Sequence, residues 1–158
     1  MKKIVTLLAV FAALSMLAPP ALAEPPTPVS GTFDYTFEIL DSWTANGNTF
    51  LYAVEYEDWE GDFTGTAVAH FTVAMFSSGF WNVHLRSEST GTVGDKQGSM
   101  IIQLVGKKPA DDDWSGQWVI ISGTGELANV RGQGTWGGPG FGAAGPDIWY
   151  VGQITGAD

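Results

Sequence analysis

The sequence predicts an all-β protein: a closed, mainly antiparallel eight-stranded barrel, preceded by a cleaved signal peptide. Eight short segments are rich in aromatic and β-branched residues, and Gly, Asn, Asp or Pro separate them. No stretch has an amphipathic helical period longer than residues 126–130. The predicted strands are residues 32–39, 49–57, 63–76, 80–88, 99–105, 117–121, 132–136 and 148–154.

Residues 1–23 predict a secretory signal peptide. The chain begins with a short basic segment, continues with an apolar run over residues 4–17, and reaches a small-x-small cleavage site at residues 21–23. The apolar run is shorter than the roughly 20 residues that a membrane-spanning helix needs, and no later segment approaches that length. We therefore expect an exported chain, periplasmic or secreted, with no membrane insertion after signal cleavage.

Two further boundaries follow from proline and from turn residues. Residues 24–30 are predicted to form a proline-rich leader, because proline has no N–H to donate to a strand ladder. Residues 31–158 then form a single β-barrel domain, long enough to bury a core without covalent cross-links. Within this domain, Asn46 and Gly47 are the strongest hairpin signal. The first two strands are therefore predicted to pair as a hairpin.

The composition limits the partners and cofactors of this chain. Asp and Glu number 17 against 7 Lys and Arg, so that the formal net charge is −10. An acidic surface of this kind repels nucleic acid and anionic lipid, which excludes a nucleic-acid partner. There is no cysteine, so neither a disulfide nor a thiolate metal ligand can form. No cofactor is predicted.

Alternation in two strands indicates which side chains face the barrel interior. Residues 63–76 place apolar side chains on one face and mainly polar ones on the other, and residues 80–88 alternate in the same way. Ala67 and Ala69 leave room inside, while larger side chains supply walls. We predict that the interior binds a small apolar or aromatic molecule; the alternative is that these side chains only pack the core. The predicted lining residues are Phe71, Val73, Met75, Trp81, Val83, Leu85, Ile102, Trp118 and Ile120.

The candidates for metal binding are two histidines and two acidic runs. A three-residue loop at residues 76–78 would place His70 opposite His84 on the polar face of neighbouring strands. Two ligands without a third do not complete a metal site, so both histidines are weak candidates and no metal is predicted. The acidic runs at residues 55–62 and 111–113 lack the spacing of a calcium loop and are interpreted as solvated loops.

The chain contains 7 tryptophans, which is a large number for its length. Their rings can stack on sugars or phenolic molecules, so those near strand ends are candidates for a binding rim. The alternative is that most of them seal the barrel ends. The tryptophans near strand ends are Trp43, Trp59, Trp114, Trp136 and Trp149.

Residues 122–136, which read SGTGELANVRGQGTW, predict a strand, a single helical turn and another strand. The G-x-G-x-x-A spacing in this segment resembles a dinucleotide fingerprint, but the helix ends after about one turn, so no nucleotide is predicted. Leu127 and Val130 are expected to plug one end of the barrel. Arg131 is expected to pair with Glu126 or with a neighbouring carboxylate.

Residues 137–146, which read GGPGFGAAGP, connect the last two predicted strands. Phe141 is the single large apolar side chain of this segment, so it is the candidate residue of a flap over the barrel mouth. The alternative is a plain hairpin connection without a role in binding.

Four segments resemble an uncharacterised bacterial family of small proteins built like the allene oxide cyclase barrel. They are residues 61–66 (GDFTGT), 91–103 (GTVGDKQGSMIIQ), 122–127 (SGTGEL) and 131–134 (RGQG), and the resemblance extends over residues 31–153. It implies the barrel fold. Proteins on this barrel include allene oxide cyclases, which cyclise a bound fatty-acid epoxide, and dirigent proteins, which steer the coupling of phenolic radicals.

The resemblance implies no particular activity for this chain. Members of the family often carry a Gln-His pair where this chain has Gln103 followed by Leu104, so chemistry that uses such a histidine is not implied. No inward cluster of charged residues is predicted, so no catalytic residue is assigned. Binding without chemistry is therefore favoured over an enzyme.

Two alternatives to simple binding are kept. The first is a cyclase or isomerase that acts by holding its substrate in one fold, since orientation can supply much of a rate enhancement. The second is an envelope or surface module without a ligand, in which the chain associates as a homo-oligomer.

Overall fold

Eight antiparallel strands and one short 3₁₀ turn make up the fold in the computed structural model, which describes residues 25–139 and 148–157. In these two ranges there is no helix with the length and apolar character that crossing a membrane requires. The strands are β1 Thr27–Ala45, β2 Asn48–Gly61, β3 Phe63–Met75, β4 Trp81–Val93, β5 Lys96–Lys108, β6 Trp114–Gly123, β7 Arg131–Gly138 and β8 Ile148–Thr155, and the 3₁₀ turn is Gly125–Leu127.

The strands close into a ring. Each strand pairs with the next one along the chain, and β1 also pairs with β8 through residues 27–33, so the sheet forms a closed barrel. All eight predicted strands are present in the predicted order, and most of them extend further than predicted. The all-β, antiparallel architecture expected from the sequence is therefore confirmed.

Strand β1 begins inside the segment that we assigned to the leader. Residues 27–30 pair with β8, with Pro28 opposite Gln153. Proline is tolerated here because β2 pairs with β1 only from Gly31 onward, so Pro28 has a strand neighbour on one side alone. The side chain of Val29 is buried in the core. The prediction from proline content therefore started this strand too late in the sequence.

The connection between β1 and β2 is the predicted two-residue turn. Asn46 has a φ of 52° and Gly47 a φ of 78°, the left-handed conformation that a type I′ turn requires at both positions. Ala45 pairs with Asn48 directly beside the turn. The hairpin predicted from these two residues is confirmed.

The 3₁₀ turn covers one end of the barrel. Leu127 and Val130 are fully buried there, as predicted. The expected pairing of Arg131 with a carboxylate is wrong, because its Nη1 donates to the carbonyl oxygens of Ala128 at 3.1 Å and Val130 at 2.6 Å. The carboxylate of Glu126 accepts a hydrogen bond from the backbone N–H of Gln97 instead. The turn is thus anchored by backbone groups.

Two tryptophan rings lie against glycines of other strands. The ring of Trp118 occupies the space beside Gly134 and Gly152, and the ring of Trp136 occupies the space beside Gly116. Each indole N–H donates at 3.2 Å to a backbone carbonyl two strands away, Trp118 to Val151 and Trp136 to Val105. The glycines therefore make room for large rings that fill the barrel.

Candidate functional site

The structure places all nine predicted lining residues on the inward face of the barrel. Two of them, Met75 and Trp81, lie at the barrel end opposite the 3₁₀ turn and are partly exposed. The others are buried in the core. Their inward orientation is confirmed, and their role in binding a ligand stays a prediction. The buried members are Phe71, Val73, Val83, Leu85, Ile102, Trp118 and Ile120.

Two carboxyl groups that were not predicted to face inward lie in the interior. Glu55 has 4% and Glu57 has 2% of its surface exposed, and both side chains share the inward face of β2 with Ala53 and Trp59. The segment interpreted as a solvated acidic loop is therefore a strand whose alternate residues are buried.

The sequence contained a signal for this burial. Ala53, Glu55, Glu57 and Trp59 follow one another at the two-residue spacing of a strand face, and this face begins and ends with an apolar side chain. The density of acidic residues between positions 55 and 62 concealed the pattern. The strand β3 provides the space, because Ala69 pairs with Glu55 and Ala67 pairs with Glu57.

Two hydrogen-bond donors hold one oxygen of Glu57. Its Oε2 accepts a hydrogen bond from Nε1 of Trp59 at 2.7 Å and another from Oγ of Ser87 at 2.7 Å. Its Oε1 is buried and, among the described residues, receives no hydrogen bond from an N–H or a hydroxyl group. Glu57 is therefore a buried carboxyl group with hydrogen-bond donors at only one of its two oxygens.

The interior raises the pKa of both carboxyl groups, but to different extents. Burial raises the pKa of Glu55 well above its usual range, and the charge of Glu57 and a hydrogen bond to Glu57 raise it further. Burial also raises the pKa of Glu57, but the hydrogen bonds from Ser87, Trp59 and Glu55 act in the opposite direction. Glu57 is thus the group that ionises more readily, and Glu55 is the group that holds its proton more tightly. Because the two groups interact, they titrate as a pair.

Glu55 lies at an apolar cavity of about 30 Å³. This volume holds one or two water-sized groups, whereas sites for drug-sized molecules are roughly 300–1,000 Å³. The interior is therefore largely filled by its own side chains, and only a small group of a ligand fits beside Glu55. The other lining residues are Phe33, Tyr35, Phe71, Val83, Leu85, Leu104, Trp114, Trp136 and Ile148.

The phenol of Tyr35 is the second titratable group at the cavity. Burial raises its pKa to about 12, and the charge of Glu55 contributes in the same direction. Tyr35 consequently remains a neutral hydrogen-bonding group at any physiological pH. The cavity thus combines aromatic walls with one phenol and one buried carboxyl group.

Apolar side chains gather at the barrel end above this cavity. We call this end of the barrel the mouth and define it by the inward-facing residues Phe37, Ile39, Leu51, Met75 and Trp81. Phe37 is 39% exposed although its ring meets the ring of Phe71 edge-on at 6.1 Å. Apolar surface exposed at the opening of a barrel is typical of a ligand-binding entrance.

The two histidines are not opposite one another, so the predicted pairing is wrong. His70 pairs with Arg86 and His84 pairs with Thr72. The turn between β3 and β4 is centred one residue later in the sequence than predicted. In this turn the N–H of Phe76 donates to the carbonyl oxygen of Phe80 at 2.9 Å. Among the described residues, no three His, Asp or Glu side chains form a group that could hold a metal ion.

The tryptophans near strand ends do not form one rim. Trp59, Trp114 and Trp136 are buried in the core, whereas Trp43 and Trp149 are exposed. Trp149 lies on the outer face of β8, where its ring covers Gly137. The candidate flap residue Phe141 lies outside the described residues.

An open groove of about 790 Å³ crosses the outer face of strands β5 to β8. Its lining includes the side chains of Gln103, Gln117, Gln133 and Gln153 and contains no charged residue. Because it lacks both a titratable group and an enclosed surface, this groove is a weaker candidate site than the cavity at Glu55.

Replacing Ser87 with alanine should lower the free energy of unfolding by about 2 kcal/mol, because a buried carboxylate loses a hydrogen bond that nothing else replaces. Urea unfolding followed by tryptophan fluorescence measures this change. The matched control is Ser89→Ala on the same inward face, since Ser89 donates only a 3.3 Å bond to the carbonyl of Met100. Equal effects of the two substitutions would contradict a charged Glu57.

Comparison with known proteins identifies the family. Residues 29–140 match the family described as "Protein of unknown function (DUF3224)". The fold resembles the crystal structure of a protein with unknown function from the DUF3224 family of Shewanella oneidensis MR-1, with a TM-score of 0.67 and 16% sequence identity over 82% of this chain and 96% of that one. No curated protein matches the sequence. The chain therefore belongs to the DUF3224 family of proteins of unknown function.

Proposed function

We propose that this chain binds a small molecule whose apolar or aromatic body lies at the mouth and whose polar group reaches Glu55. The observation that carries the proposal is a carboxylic acid at the apolar cavity beneath an exposed apolar entrance. A titratable group with a strongly perturbed pKa in an apolar cavity is a common feature of binding and catalytic sites.

The size of the cavity determines how such a ligand would bind. A volume of about 30 Å³ admits a head group but not a whole aromatic molecule. The body of the ligand would instead contact Phe37, Met75 and Trp81, whose side chains are partly exposed at the mouth. Burying that apolar surface supplies the binding energy, and the hydrogen bond to Glu55 supplies orientation.

The proposal includes an exported location and a barrel of the allene oxide cyclase type. The basic, apolar and small-residue segments of residues 1–23 support export. Closure of eight consecutive antiparallel strands, together with the four segments that resemble the family, supports the barrel type.

Titration with the neutral fluorophore N-phenyl-1-naphthylamine tests binding at the mouth. We expect saturable enhancement of its emission with one molecule bound per chain. Met75→Glu, which places a charge at the mouth, should weaken this binding at least tenfold because the carboxylate must be desolvated. The matched control is Val68→Glu on the outer face of the same strand, which should leave the affinity unchanged.

Circular dichroism and thermal unfolding establish that each variant is folded, and Phe37→Ser serves as a second mouth variant if Met75→Glu does not fold. Absence of saturable binding by the wild-type chain, or equal affinities in the mouth and outer-face variants, would overturn the proposal.

An isomerase or cyclase is the second candidate, and the pairing of an acid with a carboxylate favours it. Glu55 could donate a proton to a molecule in the cavity, and Glu57, which lies beside Glu55 on the same strand face, would assist that proton transfer through Glu55. Native mass spectrometry of the chain purified from its exported compartment would reveal a bound molecule. Conversion of that molecule during incubation would establish turnover, and its recovery unchanged would favour binding alone.

A further inference from the structure

We propose that the ligand is a primary amine in its ammonium form, and that its ammonium group enters the cavity and pairs with the buried carboxyl group of Glu55, beside Glu57. This inference rests on the proposed function and names the chemical class of its ligand. Its geometric basis is the juxtaposition of the two buried carboxyl groups, the unpartnered Oε1 of Glu57 and the aromatic cavity beside Glu55.

The charge balance of the interior favours a cation. Two carboxyl groups are buried in this interior, and none of the residues that line the cavity is Lys, Arg or His. The hydrogen bonds from Trp59 and Ser87 both go to a single oxygen of Glu57, which leaves its Oε1 without an N–H or hydroxyl donor. An ammonium group brings a positive charge and three donors, and charge-assisted hydrogen bonds are the stronger ones.

The walls of the cavity also suit a cation. Five of its lining side chains are aromatic, and the faces of aromatic rings attract ammonium groups within about 6 Å. The mouth already shows this contact, because Nζ of Lys108 lies 5.6 Å from the centre of the Trp81 ring. An anionic ligand such as a fatty acid would meet two carboxyl groups in an apolar interior and is disfavoured.

The cavity volume selects among amines. About 30 Å³ admits a primary ammonium group, which is close to the size of water, whereas a quaternary ammonium group is several times larger. The apolar body of the amine would remain at the mouth, as in the proposed function. The expected ligand is therefore a primary amine attached by a short chain to an aromatic or aliphatic group.

Binding of such a ligand should release a proton. The ligand enters as R–NH₃⁺, Glu55 gives its proton to the solvent, and the ammonium group then lies against the carboxylate of Glu55 with Glu57 beside it, so charge and atoms balance. The other titratable groups near the site are Glu57 on the same strand, Tyr35 on β1 and Lys108, whose ammonium group lies at the mouth beside Trp81. Tyr35 stays neutral with a pKa of about 12. Amine affinity should therefore increase as the pH rises from 6 to 8, by up to about tenfold per pH unit while Glu55 remains protonated in the free protein.

Isothermal titration calorimetry with three probes of similar shape tests the inference. The probes are 2-phenylethylamine, 2-phenylethanol and 3-phenylpropionate, titrated at pH 7 in phosphate and in MOPS, whose different ionisation enthalpies report proton release. We expect the amine to bind at least tenfold more tightly than the alcohol, the carboxylate to bind most weakly, and about one proton to leave per amine bound.

The variant Glu55→Gln should reduce amine affinity at least tenfold and abolish proton release, while Glu60→Gln on the outer face of the same strand should change neither. If Glu55→Gln does not fold, the pH dependence of amine binding by the wild-type chain gives the same information. An alcohol that binds as tightly as the amine would overturn amine selectivity and leave the proposed function intact. Failure of all three probes and of N-phenyl-1-naphthylamine would overturn both.

Discussion

Replacing Gly134 with alanine should lower the free energy of unfolding by about 3 kcal/mol, at the upper end of the usual effect of overpacking a core. The added Cβ would lie 2.6 Å from Nε1 of Trp118 and 2.7 Å from Cα of Gly152, and it would also overlap the carbonyl oxygen of Val151. Trp118 is buried and its indole N–H is bonded to that same carbonyl, so neither the ring nor the backbone can move freely. Thermal and urea unfolding would measure the loss.

The matched control is Gly47→Ala in the turn between β1 and β2. An added Cβ meets nothing within 4 Å there, and the positive φ of 78° is the source of strain. We expect a loss of about 1 kcal/mol from this conformational strain. A loss at Gly134 no larger than that at Gly47 would show that the tryptophan rings do not pack rigidly against the glycines.

Raising the pH from 5 to 8 should lower the free energy of unfolding, by about 1.4 kcal/mol per pH unit over the range in which one proton is bound only in the folded state. A carboxyl group whose pKa is raised by folding holds its proton more tightly in the folded chain than in the unfolded chain. Its stabilising contribution is therefore complete below the unfolded value near 4.5 and is lost as the pH rises through the folded pKa. Urea unfolding at several pH values between 5 and 8 would measure this slope.

Glu55→Gln identifies the origin of this pH dependence. Glutamine has the shape of a protonated glutamate and does not ionise, so the variant should lose the slope and exceed the wild-type chain in stability at pH 8. Glu60→Gln, on the exposed face of the same strand, should keep the slope. A slope that persists in Glu55→Gln would contradict a proton held by Glu55.

Much of the fold could be predicted from local patterns. The eight strands, the turn at Asn46 and Gly47, and the plug formed by Leu127 and Val130 depend on residues close together in the chain. Alternation of apolar and polar side chains also gave the inward face of β3 correctly, because a strand has a fixed period of two.

The candidate site was predicted only in part, because its central residues contradict the usual correlation between charge and exposure. Glu55 and Glu57 read as members of a solvated acidic run, yet they are buried because Ala67 and Ala69 leave space and because Ser87 and Trp59 supply hydrogen bonds. The donor Ser87 lies 30 residues away in the sequence. A pattern within one strand cannot reveal such a partner.

The sequence by itself determined the class of fold, the order of the strands and the inward faces of its clearly alternating strands, since these depend on turn residues and on a period of two along each strand. Only the tertiary structure decided the register between β3 and β4, the pairing of Thr27–Ser30 with β8, and the burial of the carboxyl pair. The register between two strands changes when the loop between them changes by a single residue. A buried carboxyl group depends on a donor such as Ser87 from another strand, which comes into place only when the strands have assembled.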